Sequence, residues 1–438
     1  MNISRRQALL SSLSAGGLLG LRALATGIPA AILANPTEAL ADDACTGTRA
    51  PQYLILSSSG SGDPFNANAP GTYDDAGILH SADPLMAKTA LTLGATKTTA
   101  AKPWASLPQA VLNRTSFIHH RSMTNNHGNH QKVLGLMGAV RRSESLVSLI
   151  SRSLAPCLGT IQDAPIALGA EPMTFKGRLV PPLPPTVLRD VLTASKSGPA
   201  LLTDTTLPKL RDDTLNQIND IYKSSGNVLQ KRMLDNLAIS RTQVRSLSDS
   251  LLGALSSITN DGSDGQMIAA AALIKMNIAP VVTVHLGFGG DNHTDNSFAR
   301  ETSETIASIT ALNTLMTKLT EFGLTDKVTF GLLNVFGRTL KEQGTTGRTH
   351  AQALSTAILI GKNVKGSLCG GVEPDGHNDY QSLAIDSKTG KGSATGDIAI
   401  IDSLGAVGKT IGAAVGVPVS VLDDSITQGK VITGAVTG

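Results

Sequence analysis

Aromatic side chains are scarce: Phe, Tyr and Trp make up 3 % of the 438 residues, and Trp104 is the single tryptophan. That excludes an aromatic platform on which bases or sugar rings stack. Cysteine is scarcer, with Cys45, Cys157 and Cys369 alone. An odd count allows at most one intrachain disulfide and excludes a disulfide-stapled miniature scaffold. Asp42, Asp43 and Ala44 make a poor context for lipid attachment at Cys45, so the cysteines read as structural or unpaired thiols. An excess of one charge is missing too. The formal net charge is +3, and setting aside residues 1–41 leaves 34 basic against 33 acidic residues. No basic face remains for nucleic acid. Long apolar runs are absent as well: Gly16, Gly17, Gly20, Arg22 and Pro29 interrupt the N-terminal one, so no stable membrane span is expected.

What is present is core material. Apolar residues are 41 % and charged residues 16 %, which argues against a disordered chain. The length suits two or three average domains or one large α/β domain. The N-terminus reads as an address. Ser4, Arg5, Arg6 and Gln7 open a Gly/Ala/Leu-rich stretch, and Ala39, Leu40 and Ala41 offer a small-x-small cleavage site. This is similar to a twin-arginine export signal, without the usual Phe and Lys at Ala8 and Leu10. The expectation is a signal peptide over 1–41, the twin-arginine translocase as partner during export, a periplasmic or secreted product, and one mature domain over 42–438.

Patterning predicts strands at 52–56, around 116–118, 279–286, 328–334 and 357–360, with helices at 133–150, 266–276, 298–322 and 398–415. Helical spacing over 208–257 suggests a helical excursion. Continuous apolar strands alternating with helices indicate an α/β fold: a mostly parallel central sheet with helices on both faces. In such sheets chemistry gathers beyond the carboxyl ends of the strands. Asp63, Asp291, His293 and Asn334 each follow a strand-like run.

Of nine histidines, four fall within residues 119–130: His119, His120, His127 and His130. His293, His350 and His377 come later, near Asp291, Asp295, Asp375 and Asp379. Imidazole and carboxylate suit a borderline divalent ion, and neighbouring Asn and Asp side chains suit the outer shell. His285 reads as a mid-strand structural residue, and at most one of His119 and His120 is expected to face a site.

Taken in order, several motifs resemble a bacterial family known as domain of unknown function 1501. Gly60 to Pro70 is similar to its first-strand G-G-x-D-G-x-N motif, and Arg121 to His130 to its R-S-M…N-H segment. Asp291, Asn292 and His293 stand where it has D-T-H, Phe336 to Thr339 match F-G-R-T, and Gly347 to His350 match G-R-D-H. The resemblance implies twin-arginine export and an alkaline phosphatase/sulfatase-like fold. It further implies a metal-dependent hydrolase acting on phosphate or sulfate esters, with a divalent ion such as zinc or calcium. Asp63, Asp291, His293 and His350 are then the candidate ligands. His130 becomes a ligand or an acid/base group, Asn129 an oxyanion donor, Arg338 a clamp for an anionic oxygen, and Thr124 a nearby hydroxyl. Val335 and Thr349 depart from the family, which carries carboxylates there, and no nucleophile falls in register. Those departures favour an alternative: a catalytically degenerate protein that binds a small anionic ligand, a glycan or a partner on the same fold.

Overall fold

A computed structural model describes residues 45–437, apart from 46, 48, 170, 198–212, 342–346 and most positions between 215 and 248. The expected signal peptide lies outside the described residues, as does most of the 208–257 excursion. The described positions between 213 and 234 are helical.

The chain forms an α/β fold on a seven-stranded sheet. Its strands are β1 (Tyr53–Ser57), β2 (Thr115–His120), β3 (Ile166–Ala167), β4 (Val281–Val284), β5 (Val328–Leu332), β6 (Ser355–Ile360) and β7 (Ser367–Cys369). They lie in the order β7-β2-β6-β5-β1-β4-β3. Every strand of the central β5-β1-β4 group is buried on both faces. The period-2 alternation of a strand therefore feeds two cores. Tyr53 and Ile55 join one cluster while Leu54 and Leu56 join the other. The first core is closed by helices Ser263–Lys275 and Ala299–Glu321, the second by Leu146–Leu158 and Ser403–Ala414.

Strand β6 departs from the parallel arrangement, pairing antiparallel with both β2 and β5. An antiparallel return needs no crossover helix. The chain leaves β5 at Leu332, makes the ribbon of Gly337–Arg338 with His350–Ala351, and re-enters the sheet at Ser355. His350 thus precedes its strand instead of following one, yet sits at the rim where β1, β4 and β5 end.

Two further expectations are corrected. The helix predicted over 133–150 is broken into His130–Leu134, short 3-10 turns and Leu146–Leu158. Gly135 and Gly138, poor helix formers, interrupt it, with Gly138 at φ +93°, and Ser145 caps the new helix by accepting from Ser148 N. His285 is not mid-strand: β4 ends at Val284, and His285 Nδ1 lies 3.3 Å from Ser58 O at the rim. Both His119 and His120 are fully buried, and His119 is held between Pro70 O at 2.8 Å and Thr356 Oγ1 at 2.9 Å. Cys45 and Cys157 form a disulfide, and Cys369 is a buried free thiol. Among the described residues no helix is long and apolar enough to cross a membrane.

Candidate metal centre

Four loops meet at the rim. The turn after β1 passes through Gly62, at φ +60°, where an added Cβ would lie 1.9 Å from the Phe336 ring, so only glycine fits. In the loop after β2, the Asn126 side chain accepts from Gly128 N at 2.8 Å and starts the turn that presents His127. The loop after β4 carries Asp291 and His293, and the ribbon before β6 carries Arg338 and His350.

His127 Nδ1 lies 2.8 Å from Gly60 O, and His350 Nδ1 lies 2.6 Å from Asn125 O. A carbonyl only accepts, so both Nδ1 atoms carry the proton and both Nε2 atoms present lone pairs. His127, Asp291 and His350 each offer one ligand atom, and these atoms lie within 4.8 Å of one another. His293 Nε2 joins them, 2.8 Å from His350 Nε2 and 3.3 Å from Asp291 Oδ1. Two ring nitrogens that close need a proton or a cation between them. Imidazoles anchored through Nδ1–H to a carbonyl, with a carboxylate alongside, have the outer-shell arrangement of metal-binding histidines. The residues present therefore fit a divalent ion.

Arg338 braces this group. Its side chain is fully buried, and NH2 lies 2.8 Å from both Asp291 Oδ1 and Ser61 O. Nε donates to Gly62 O, while NH1 faces His293 Nε2 at 3.3 Å and Arg348 O at 3.5 Å. All five guanidinium N–H groups are thus directed at protein atoms. The expected anion clamp is committed to holding the loops. Partial burial acts to raise the Asp291 pKa, but the Arg338 hydrogen bond and the charges of Arg338, His293 and His127 hold it below the usual carboxylate range. Burial lowers the pKa of His350 against the opposing Asn125 bond, helped by the charges of Arg338, His127 and His293. Both groups stay in the metal-ready form at neutral pH.

The other expected residues sit around the group. Asp63 is buried; its Oδ2 accepts from Asn334 Nδ2 at 3.2 Å, and its Oδ1 has no hydrogen-bond partner of normal geometry among the described residues. Burial raises its pKa, opposed by the Ser59 hydroxyl and by His285 and Arg338. It lies outside the clustered ligand atoms. His130 turns toward the β1 loop, with Nε2 2.6 Å from Ser58 Oγ and Nδ1 3.5 Å from Glu171 Oε2. Burial lowers its pKa, Glu171 opposes this and His285 adds to it. Asn129 Nδ2 donates to Thr124 Oγ1 at 2.8 Å, so these two brace their own loop. Val335 is fully buried in the core.

Residues that sequence reasoning left out prove close to the centre. His127 belongs to the histidine-rich 119–130 stretch, and its preceding Asn126 cap was the available signal. Nothing local marks Ser58 or Glu171. Glu301 was hidden in a helix, yet its carboxylate accepts from Asn292 Nδ2 at 2.8 Å, Asn68 Nδ2 at 2.8 Å and Arg348 Nε at 2.8 Å. Glu301 thereby ties the 291–293 loop to the 347–350 loop. Gly347 completes the contact, since an added Cβ would meet Asn292 O at 2.0 Å.

Residues 193–382 match the model of a family described as a protein of unknown function (DUF1501). The match supports the family resemblance carried by the motifs. It spans Asp291, His293, Arg338 and His350, whereas Asp63, His127 and His130 lie before it. No curated protein matches the chain.

Proposed function

We propose that this chain is an exported metal-dependent hydrolase of the alkaline phosphatase/sulfatase superfamily, acting on phosphate or sulfate esters. One observation carries the reading: His127 and His350, their Nδ1–H groups anchored on backbone carbonyls, gather with Asp291 into one ligand cluster beside His293. The imidazole-rich set favours zinc or a similar borderline ion over calcium, which takes oxygen ligands.

When bound, such an ion supplies positive charge for the ester oxygens and acidifies water. The chain's own residues do the rest. Asp291 and the three histidines would hold the ion, with Arg338 keeping Asp291 ionised and in place. Asp63, buried and raised in pKa by that burial, is a carboxyl able to keep or release a proton beside the centre. His130, held neutral by burial, is a base within reach of a hydroxyl. The side-chain exposure of Asp291 at 48 % and His293 at 42 % leaves the centre accessible to a small anionic substrate or the terminus of a glycan. Export is supported by the Cys45–Cys157 disulfide, which belongs to an oxidising compartment.

A second reading, a degenerate member that binds a ligand or partner without turnover, draws on Val335, Thr349 and the direct Arg338–Asp291 ion pair, which already neutralises the Asp291 carboxylate. Elemental analysis of the mature protein, followed by a panel of aryl phosphates and aryl sulfates, separates the two. Stoichiometric metal with turnover abolished by His293→Ala supports the hydrolase. Metal or ligand binding without turnover supports the binder, and absence of both removes the metal centre.

A further inference from the structure

Next to the metal centre, the end of β1 carries a hydroxyl, an imidazole and a carboxylate in series. Ser58 Oγ lies 2.6 Å from His130 Nε2, and His130 Nδ1 lies 3.5 Å from Glu171 Oε2. We propose that Ser58 is a nucleophilic serine, with His130 as its base and Glu171 as the residue that positions the base, and that the unit attacks phosphorus in a small phosphate ester. This rests on the ester-hydrolase reading above and supplies the nucleophile that the motifs did not.

Three observations converge. First, the order is that of an activated nucleophile: a hydroxyl within hydrogen-bond reach of a base, and the base in turn oriented by an acid. Second, Glu171 is itself anchored, because its Oε1 accepts from Gly60 N at 2.9 Å while Oε2 faces the imidazole. A carboxylate there favours the Nδ1–H tautomer, which leaves the Nε2 lone pair for the Ser58 proton. Third, His130 Nδ1 is buried with no hydrogen-bond partner of normal geometry among the described residues, and the Glu171 carboxylate is the charge that faces it. The Ser58 hydroxyl also lies 2.8 Å from Leu333 O, and its single proton serves one of the two acceptors at a time. Ser58 is 2 % exposed and the His130 side chain 7 %, whereas the Glu171 side chain is 28 % exposed. The acid end thus faces solvent, while the hydroxyl and the imidazole are buried.

The step balances without a further reactant. The Ser58 O–H bond breaks and its proton passes to His130 Nε2 as Oγ bonds to phosphorus. The bond from phosphorus to the leaving oxygen breaks on the opposite side, in line with Oγ, and that oxygen takes a proton from water while His130 keeps the Ser58 proton. Water then attacks phosphorus in line with Oγ and releases a proton to solvent, the phosphorus–Oγ bond breaks, and Ser58 Oγ takes back the proton held on His130 Nε2.

The test is covalent trapping of the full mature chain with diisopropyl fluorophosphate, followed by peptide mass analysis, with bound zinc measured in every variant. The expected result is one adduct on the Ser58 peptide, lost in Ser58→Ala and at least tenfold slower to form in His130→Gln and in Glu171→Gln, with unchanged zinc. Glu171→Gln is informative because a glutamine side-chain oxygen can still accept from Gly60 N, so a purely structural Glu171 would leave the rate unchanged. An adduct elsewhere, no adduct, or equal rates in His130→Gln overturns the proposal. Labelling of Ser58 in protein that holds no zinc upholds it and overturns only the metal-centre reading.

Discussion

Arg348 and Glu301 form an ion pair at 2.8 Å with both side chains buried. The pair is closed on itself: Glu301 also accepts from Asn68 and Asn292, and Arg348 also donates to Thr339 O at 3.0 Å and to Leu79 O. It links the helix Ala299–Glu321 to two loops that carry Asp291, His293 and His350. Removing one partner strands the other charge away from water. Glu301→Gln should therefore cost about 3–5 kcal/mol in urea unfolding, and should weaken metal binding although Glu301 touches no ion. Stability within 1 kcal/mol of the parent would show that the pair is dispensable.

Loading the centre should stabilise the fold. A ligand held only by the native state raises the melting temperature with its concentration, by about 2.7 kcal/mol of stability at a hundredfold excess over Kd. Differential scanning fluorimetry with added zinc should show that rise, and chelator should reverse it. His127→Ala and His350→Ala should each abolish the rise. Retention in His127→Ala would remove that residue from the ligand set.

The Cys45–Cys157 disulfide spans 112 residues and joins the stretch ahead of β1 to the helix Leu146–Leu158. Closing so long a loop restricts the unfolded chain, a contribution of about 2–5 kcal/mol. Cys45→Ser, or reduction of the parent, should lower the denaturation midpoint accordingly. An unchanged midpoint in Cys45→Ser would mean that the native state gains nothing from the link.

Acid should destabilise the fold through buried imidazoles. Burial lowers the pKa of His119 and of His120 to about 4, only partly offset by their hydrogen bonds to the Pro70 and Arg121 carbonyls. Burial likewise lowers His80 to about 4. Unfolded histidines titrate near 6.5. Between these values the unfolded chain binds more protons than the native one, so stability is fully present above about pH 6.5 and is lost as pH falls toward 4. Asp63, with a raised pKa, contributes in the opposite sense, its preference for the protonated form being lost as pH rises. Urea midpoints at intervals from pH 7.5 to 4 should fall across the lower part of that range. A flat profile would contradict the burial of His119 and His120.

Local patterning determined much of this protein. The apolar runs that became β1, β4 and β5, the helices Ser263–Lys275 and Ala299–Glu321, and the polar clusters after strands were readable because each depends on periodicity within a few residues. Asp291, His293, His350 and Arg338 were singled out from composition and motif, and the fold brings them together. Tertiary structure alone decided which of the histidines join them. His127 enters because Gly60 O, 67 positions away, fixes its tautomer, while His130 turns to Ser58 and Glu171. The antiparallel course of β6 brings His350 to the rim from the wrong end of a strand, and the Glu301 bracket depends on partners from three loops. Hydrogen-bond partners and charge environments are properties of three-dimensional proximity, and chain spacing carries no information about them until the sheet order is set.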